Sequence, residues 1–154
     1  MPKDSKPLDD DKAIDALNRI LETELAGVVR YTHYALMVFG HARIPIIKWM
    51  QDQASEGLAH AAAAGEHVTT LGGHPSLKIG KLTETQKHDI DQILREALQH
   101  ERDTLALYYE LLELAQDRSV WLEEYARDMI RLEEGHIAEV EKMLRRPGAL
   151  EPAR

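Results

Sequence analysis

Between residues 122 and 143, the positions Leu122, Ala126, Met129, Glu133, His136, Val140 and Met143 advance by alternating steps of four and three. Only an α-helix returns side chains to one face at that spacing, so these residues form a single stripe along a helix. Three more stripes have the same rhythm. The first runs through Leu17, Leu21, Glu24, Val28, Tyr31, Ala35 and Val38, and the second through Ile46, Met50, Gln53, Gly57, His60, Ala64, His67 and Leu71. The third is Ile90, Leu94, Ala97, Glu101, Thr104, Tyr108, Leu111 and Ala115. Four long amphipathic helices with very few β-branched runs bury their stripes against one another, which predicts an all-α, antiparallel four-helix bundle.

Local signals set the expected boundaries. Asp9 to Asp11 offer N-caps for a first helix over about 10–39, which Gly40 ends. Pro45 suits the first turn of a second helix, and Gly72-Gly73 stops it. The segment HPSLKIGKL, 74–82, has no period and reads as an extended connection. Thr83 with Gln86 resembles a capping box opening the third helix. Asp117 to Ser119 forms a turn, and the fourth helix runs over about 120–145 until Pro147-Gly148. The outer links are short, whereas the middle one must carry the chain along the bundle, which makes it a long crossover. One domain over 1–154 is expected, with a flexible N-terminus at 1–9 and a C-terminal tail at 146–154.

Composition excludes several classes of function. The formal net charge of −8 argues against nucleic acid as a partner, because phosphate binding needs clustered Lys and Arg. No apolar run approaches a membrane span, no export signal is readable at the N-terminus, and cysteine is absent. A cytoplasmic protein without disulfides, iron–sulfur clusters or thiolate metal sites is the expectation.

The stripes contain polar residues where a core should be. Glu24 is followed by Tyr31 seven residues on and by Glu56 thirty-two on; Glu101 is followed by Tyr108 seven on and by Glu133 thirty-two on. A histidine then follows each pair, His60 and His136. Burying one unpaired carboxylate costs several kcal/mol, and four would threaten the roughly 5–15 kcal/mol that holds a domain together. Ion pairs with Arg30, Arg95, Arg102, Arg127 or Arg131 are one form of compensation. Divalent cations are the other: carboxylate oxygens with imidazoles and no thiolates suit iron, manganese or zinc. Glutamates from separate helices combined with a Glu-x-x-His motif, here Glu133 and His136, form the recurring di-iron carboxylate arrangement of such bundles.

The stretches "LNRILETELAGVVRYTHYALM", "LGGHPSL", "LQHERDTLALYYELL" and "DMIRLEEGHIAEVEKML" together resemble the ferritin-like superfamily, and most closely bacterioferritin, over nearly all of residues 12–145. The resemblance implies that Glu24, Glu101, Glu133, His60 and His136 fall on ligands of a ferroxidase centre and that Tyr31 falls on the tyrosine beside it. The family's bridging glutamate belongs at position 57, which is Gly57, and Glu56 is expected to take its place through a local adjustment of the helix. The haem-ligating methionine of bacterioferritins falls on Leu58, which cannot ligate iron, so haem held in the family's manner is not expected.

By this reading the protein binds two Fe(II) ions and passes their electrons to O2 or H2O2, for iron storage or detoxification, with Glu24, Glu101, Glu133 and Tyr31 closest to the chemistry. A homo-oligomer of at least two subunits is implied. Only RPGALEPAR follows the fourth helix, where the family adds a short fifth one, which leaves a large hollow shell without those contacts. The alternative is a non-catalytic or single-metal bundle with a binding or structural role, which Gly57 favours. A di-iron oxidase of an organic substrate has no visible pocket in the sequence.

Overall fold

Three of the four helices begin on a side-chain cap, from Asp9, Asp89 and Ser119. The computed structural model describes residues 6–152, so Met1 to Ser5 of the expected flexible N-terminus and 153–154 of the tail lie outside the description. Helix α1 spans Asp10–Met37; the Asp9 side chain accepts the Lys12 N–H at 3.1 Å, and Asp10 and Asp11 place negative charge on the first turn. The chain then leaves through Gly40, whose φ of 101° few other residues adopt. Arg43 donates its guanidinium to the carbonyls of Ala35 and Val38, which covers the open C-terminal end of α1.

Helix α2 spans Arg43–Thr70 with Pro45 in its first turn, and Gly72 at φ 81° turns the chain out. The crossover, 71–89, runs back along α1 on polar contacts. Ser76 donates its N–H to Asn18 at 2.8 Å and its hydroxyl to Glu22 at 2.6 Å, and the Gly80 N–H reaches the Glu22 carbonyl at 2.8 Å. A Cβ on Gly80 would lie 3.1 Å from that carbonyl, so glycine permits the close approach.

Helix α3 spans Ile90–Ala115 and starts later than the Thr83-Gln86 capping box predicts. The cap is Asp89, whose carboxylate accepts the Gln92 N–H at 3.1 Å, while Gln86 sits at φ 58° in the left-handed region, where a helix cannot pass. Helix α4 spans Val120–Leu144 behind an Ser119 cap, within a residue of expectation.

The architecture is the expected four-helix, all-α bundle; no strand occurs among the described residues. Helix α1 packs along both α2 and α3, and α3 along α4. Helices α2 and α4 stay farther apart, with no pair of Cα atoms within 8 Å among the described residues. Apolar clusters occupy the two halves of the bundle: Leu17, Ile20, Tyr108, Leu111 and Leu122 belong to one, and Tyr31, Val38, Met50 and Ile93 to another. Glu24, Glu101 and Glu133 are buried in the same stripes, and side chains fill the wide gap between α2 and α4.

Candidate metal centre

The three carboxylates converge from α1, α3 and α4, with exposures of 5% for Glu24, 5% for Glu101 and 1% for Glu133. Each is set in its stripe by helical spacing, so the fold brings together in space what the sequence separates by a hundred residues. Two histidines face them. His60 Nδ1 of α2 lies 3.5 Å from Glu24 Oε1 and 3.7 Å from Glu133 Oε1. His136 Nδ1 of α4 lies 3.7 Å from Glu133 Oε2 and 4.0 Å from Glu101 Oε2. Two triads result, Glu24-His60-Glu133 and Glu101-Glu133-His136, each with its donor atoms within 4.8 Å of one another, and Glu133 belongs to both.

Tyrosines close the centre by exchange between α1 and α3. Tyr31 of α1 donates its hydroxyl to Glu101 of α3, and Tyr108 of α3 donates to Glu24 of α1 at 2.8 Å. Burial, with the neighbouring carboxylates Glu101 and Glu24 adding to it, holds both phenols well above their ordinary range, so they remain donors. The equivalence of the two tyrosines follows the repeat read in the sequence, in which each stands seven residues after a glutamate.

No lysine or arginine balances this charge among the described residues. Arg127 pairs with Glu123 and Arg131 with Asp128, while Arg102 pairs with Glu141 and Arg30 donates to Tyr34 and the Lys81 carbonyl. The carboxyls carry the cost themselves. Burial pushes Glu101 from its ordinary 4.5 to about 8, and a hydrogen bond to Glu133 and repulsion from it add to the rise. Burial also raises Glu133, with Glu24 and Glu56 contributing, so the Glu101–Glu133 pair shares a proton near neutrality.

Beyond the carboxyl of Glu101, no group among the described residues donates to the buried Glu133 Oε2. Left without that donor, the oxygen costs about 1–3 kcal/mol, which a cation would offset. The residues therefore fit a pair of divalent ions: three carboxylates, two imidazoles, a buried oxygen short of donors and no competing cationic side chain. The cavity among these side chains is small, about 10 Å³, room on the scale of a water molecule or an ion.

Glu56 stands outside both triads. Its Oε2 lies 2.9 Å from His136 Nε2, on the ring edge opposite the atom that faces Glu101 and Glu133, and its side chain is half exposed. Gly57 faces the centre, where an added Cβ would meet the Glu24 carbonyl at 3.4 Å and Glu24 Oε2 at 3.7 Å. Leu58 is exposed on α2.

His100 is the neighbour that stripe reasoning missed. It is buried against the centre with its ring 6.3 Å from that of Tyr31, and burial lowers its proton affinity. Gly27 makes room for it, since a Cβ there would lie 2.5 Å from His100 Nε2. A glycine in mid-helix was the only signal of this contact, and it does not say which helix approaches.

The model of the ferritin-like domain family matches residues 14–147. The chain belongs to the ferritin-like family. Among solved structures, this ferritin-like chain is similar to a ferritin-like, diiron-carboxylate protein from Bacillus anthracis str. Ames, at 28% identity and a TM-score of 0.84 over 89% of this chain and 98% of that one. It is similar to Rhodobacter capsulatus bacterioferritin, a structure with a metal-free dinuclear site and haem iron, at 25% identity and a TM-score of 0.78 over 87% and 84% of the two chains. The bacterioferritin-related protein of Bacteroides fragilis, a dodecameric thioferritin, shares the fold at 24% identity and a TM-score of 0.80 over 89% and 86%. No curated protein sequence matches the chain. The resemblance read from the sequence, to the ferritin-like superfamily and to bacterioferritin within it, agrees with these likenesses. No helix among the described residues is long and apolar enough to cross a membrane.

Proposed function

We propose that this ferritin-like protein is a ferroxidase that binds two Fe(II) ions side by side and passes their electrons to O2 or H2O2. The observation that carries the reading is the single carboxylate of Glu133, with Oε1 toward His60 and Oε2 toward His136 at 3.7 Å each. That arrangement suits one bridging ligand between two ions, completed by Glu24 and His60 on one side and Glu101 and His136 on the other. Each Fe(II) gives up one electron. Two electrons and two protons convert O2 to H2O2, or H2O2 to two waters.

The remaining side chains orient the ligands. Tyr31 holds the Glu101 oxygen turned away from His136, Tyr108 holds Glu24 Oε1, the oxygen that also faces His60, and both tyrosines keep their own protons. The Glu56 carboxylate beside His136 Nε2 favours the tautomer with its proton there, which leaves Nδ1 free to ligate. We assign Glu56 this positioning role, because direct bridging would require its carboxylate to leave His136. Cation binding displaces the proton shared by Glu101 and Glu133.

Both the Bacillus anthracis neighbour, named a diiron-carboxylate protein, and the dinuclear site of the Rhodobacter capsulatus neighbour support the iron reading. The dodecameric Bacteroides fragilis neighbour supports a homo-oligomer. Gly57, which supplies no carboxylate beside Glu24, supports the second reading, a bundle that holds one ion or none and does not turn over.

Stopped-flow oxidation separates the two. Fe(II) is added anaerobically in steps and mixed with O2. A fast phase that saturates at two Fe(II) per chain and disappears in Glu133→Ala supports the enzyme; oxidation no faster than in buffer supports the scaffold.

A further inference from the structure

The polar residues of the bundle centre are not the only donors the fold gathers. His33 of α1 and the crossover residues Glu84 and His88 meet at the surface, on separate segments of the chain. Glu84 Oε2 lies 2.9 Å from His33 Nε2, and Glu84 Oε1 lies 3.7 Å from His88 Nε2. The two imidazole rings are 5.9 Å apart. One donor atom from each of the three residues lies within 4.8 Å of the other two. Ligand atoms around a tetrahedral zinc, at about 2.0–2.1 Å from it, are separated by about 3.4 Å, so the cluster needs little closure to hold one.

Two further observations distinguish this cluster from an ordinary surface ion pair. The Nε2 atoms of His33 and His88 are both shielded from solvent and face one carboxylate, Glu84, which meets His33 at 2.9 Å but leaves His88 Nε2 at 3.7 Å, beyond hydrogen-bond distance and without a partner. The loop is also bent to produce the convergence. Gln86 takes φ 58°, a conformation that non-glycine residues adopt rarely, and its N–H is held by Glu84 Oε1 at 2.6 Å. Lys87 also lines the adjoining cleft, and the Arg30 guanidinium nearby is occupied by the Lys81 carbonyl at 3.0 Å and the Tyr34 hydroxyl at 3.4 Å.

We propose that His33, Glu84 and His88 form a second cation site, separate from the bundle centre, that takes one Zn(II) or a similar borderline divalent ion and pins the end of the crossover to α1. Two imidazoles with one carboxylate favour such an ion more than the oxygen-rich centre does. Three protein ligands leave a fourth position for water. The side chains are 42%, 43% and 24% exposed, so the ion exchanges with solvent directly and needs no route through the bundle. The consequence is mechanical. Upstream, the crossover is tied to α1 through Ser76, Gly80 and Lys81, whereas its last stretch before Asp89 is held to α1 by this cluster and to α3 by the Thr85 hydroxyl on Glu96 at 2.8 Å.

The test is a zinc-edge anomalous difference map of the whole protein crystallised with Zn(II), together with Zn(II) bound per chain in the parent, His33→Ala and His88→Ala. A peak between the three donors and a loss of one Zn(II) per chain in either variant, with Fe(II) binding at the centre unchanged, is the expected result. Trypsin gives an independent readout. With Zn(II) at ten times its Kd, opening of the loop falls about elevenfold, and cleavage after Lys81 and Lys87 slows accordingly in the parent but not in His88→Ala. An anomalous map with zinc elsewhere and none at this cluster overturns the proposal, as does unchanged stoichiometry in both folded variants. Should either alanine variant fail to fold, Glu84→Gln and the map of the unaltered protein decide.

Discussion

Replacing Glu101 by Gln should make the metal-free protein more stable and the metal-loaded protein less so. Glu101 is buried between Tyr31 and Glu133, and its carboxyl is pushed from 4.5 to about 8. Below pH 4.5 the folded and unfolded chains both hold this proton, and the group has no effect on stability. Between pH 4.5 and 8 the unfolded chain releases it while the folded chain keeps it. Stability of the metal-free protein therefore falls as pH rises, by 1.36 kcal/mol per pH unit, and the fall is complete above pH 8. At pH 7.5 the loss reaches about 4 kcal/mol, an upper value because Glu133 shares the proton. Glutamine keeps the shape and still accepts from Tyr31, but it cannot ionise. Urea unfolding of chelator-treated protein at fixed concentration, at pH 5, 6.5 and 8, measures the difference. The variant should lie close to the parent at pH 5 and above it by a margin that widens to a few kcal/mol at pH 8. Adding Fe(II) anaerobically should reverse the order. Parallel stabilities across the pH range would refute the claim that this carboxyl is held out of its ionised form by burial.

Other perturbations test separate parts of the structure. Gly27→Ala places a Cβ 2.5 Å from His100 Nε2 and should cost about 1–3 kcal/mol in the same unfolding assay. Gly57→Ala, whose nearest contacts are 3.4 Å, should gain up to about 1 kcal/mol without lowering the number of ions bound. Glu56→Ala should weaken anaerobic Fe(II) binding about 10–100-fold, seen by titration, while two ions per chain still bind at saturation. Fe(II) uptake at pH 7 in weakly buffered solution should release protons from the Glu101–Glu133 pair, read with a pH indicator, and the release should vanish above about pH 9.

The sequence was most informative where a residue's role follows from its place on a stripe. Glu24, Glu101 and Glu133 interrupt apolar faces, and a helix leaves such residues no direction but inward, so their convergence could be read before any coordinates. The start of α3 was harder. Thr83-x-x-Gln86 matches a capping box, but Gln86 adopts φ 58° and the helix begins instead at Asp89, whose carboxylate accepts the Gln92 N–H. Glu56 illustrates a different limit. Its position one residue before Gly57 was visible, but whether it meets an ion or the back of His136 depends on the orientation of a ring in another helix. The His33, Glu84 and His88 cluster has no period at all, because one donor is helical and two sit around a left-handed turn.

The central claim is that Glu133 sits between two bound ions, and an iron-edge anomalous difference map from crystals loaded with Fe(II) without oxygen tests it most directly. The account predicts two peaks flanking the Glu133 carboxylate, one shared with Glu24 and His60 and the other with Glu101 and His136. A single peak, or none within the bundle while iron is bound elsewhere on the chain, would contradict it.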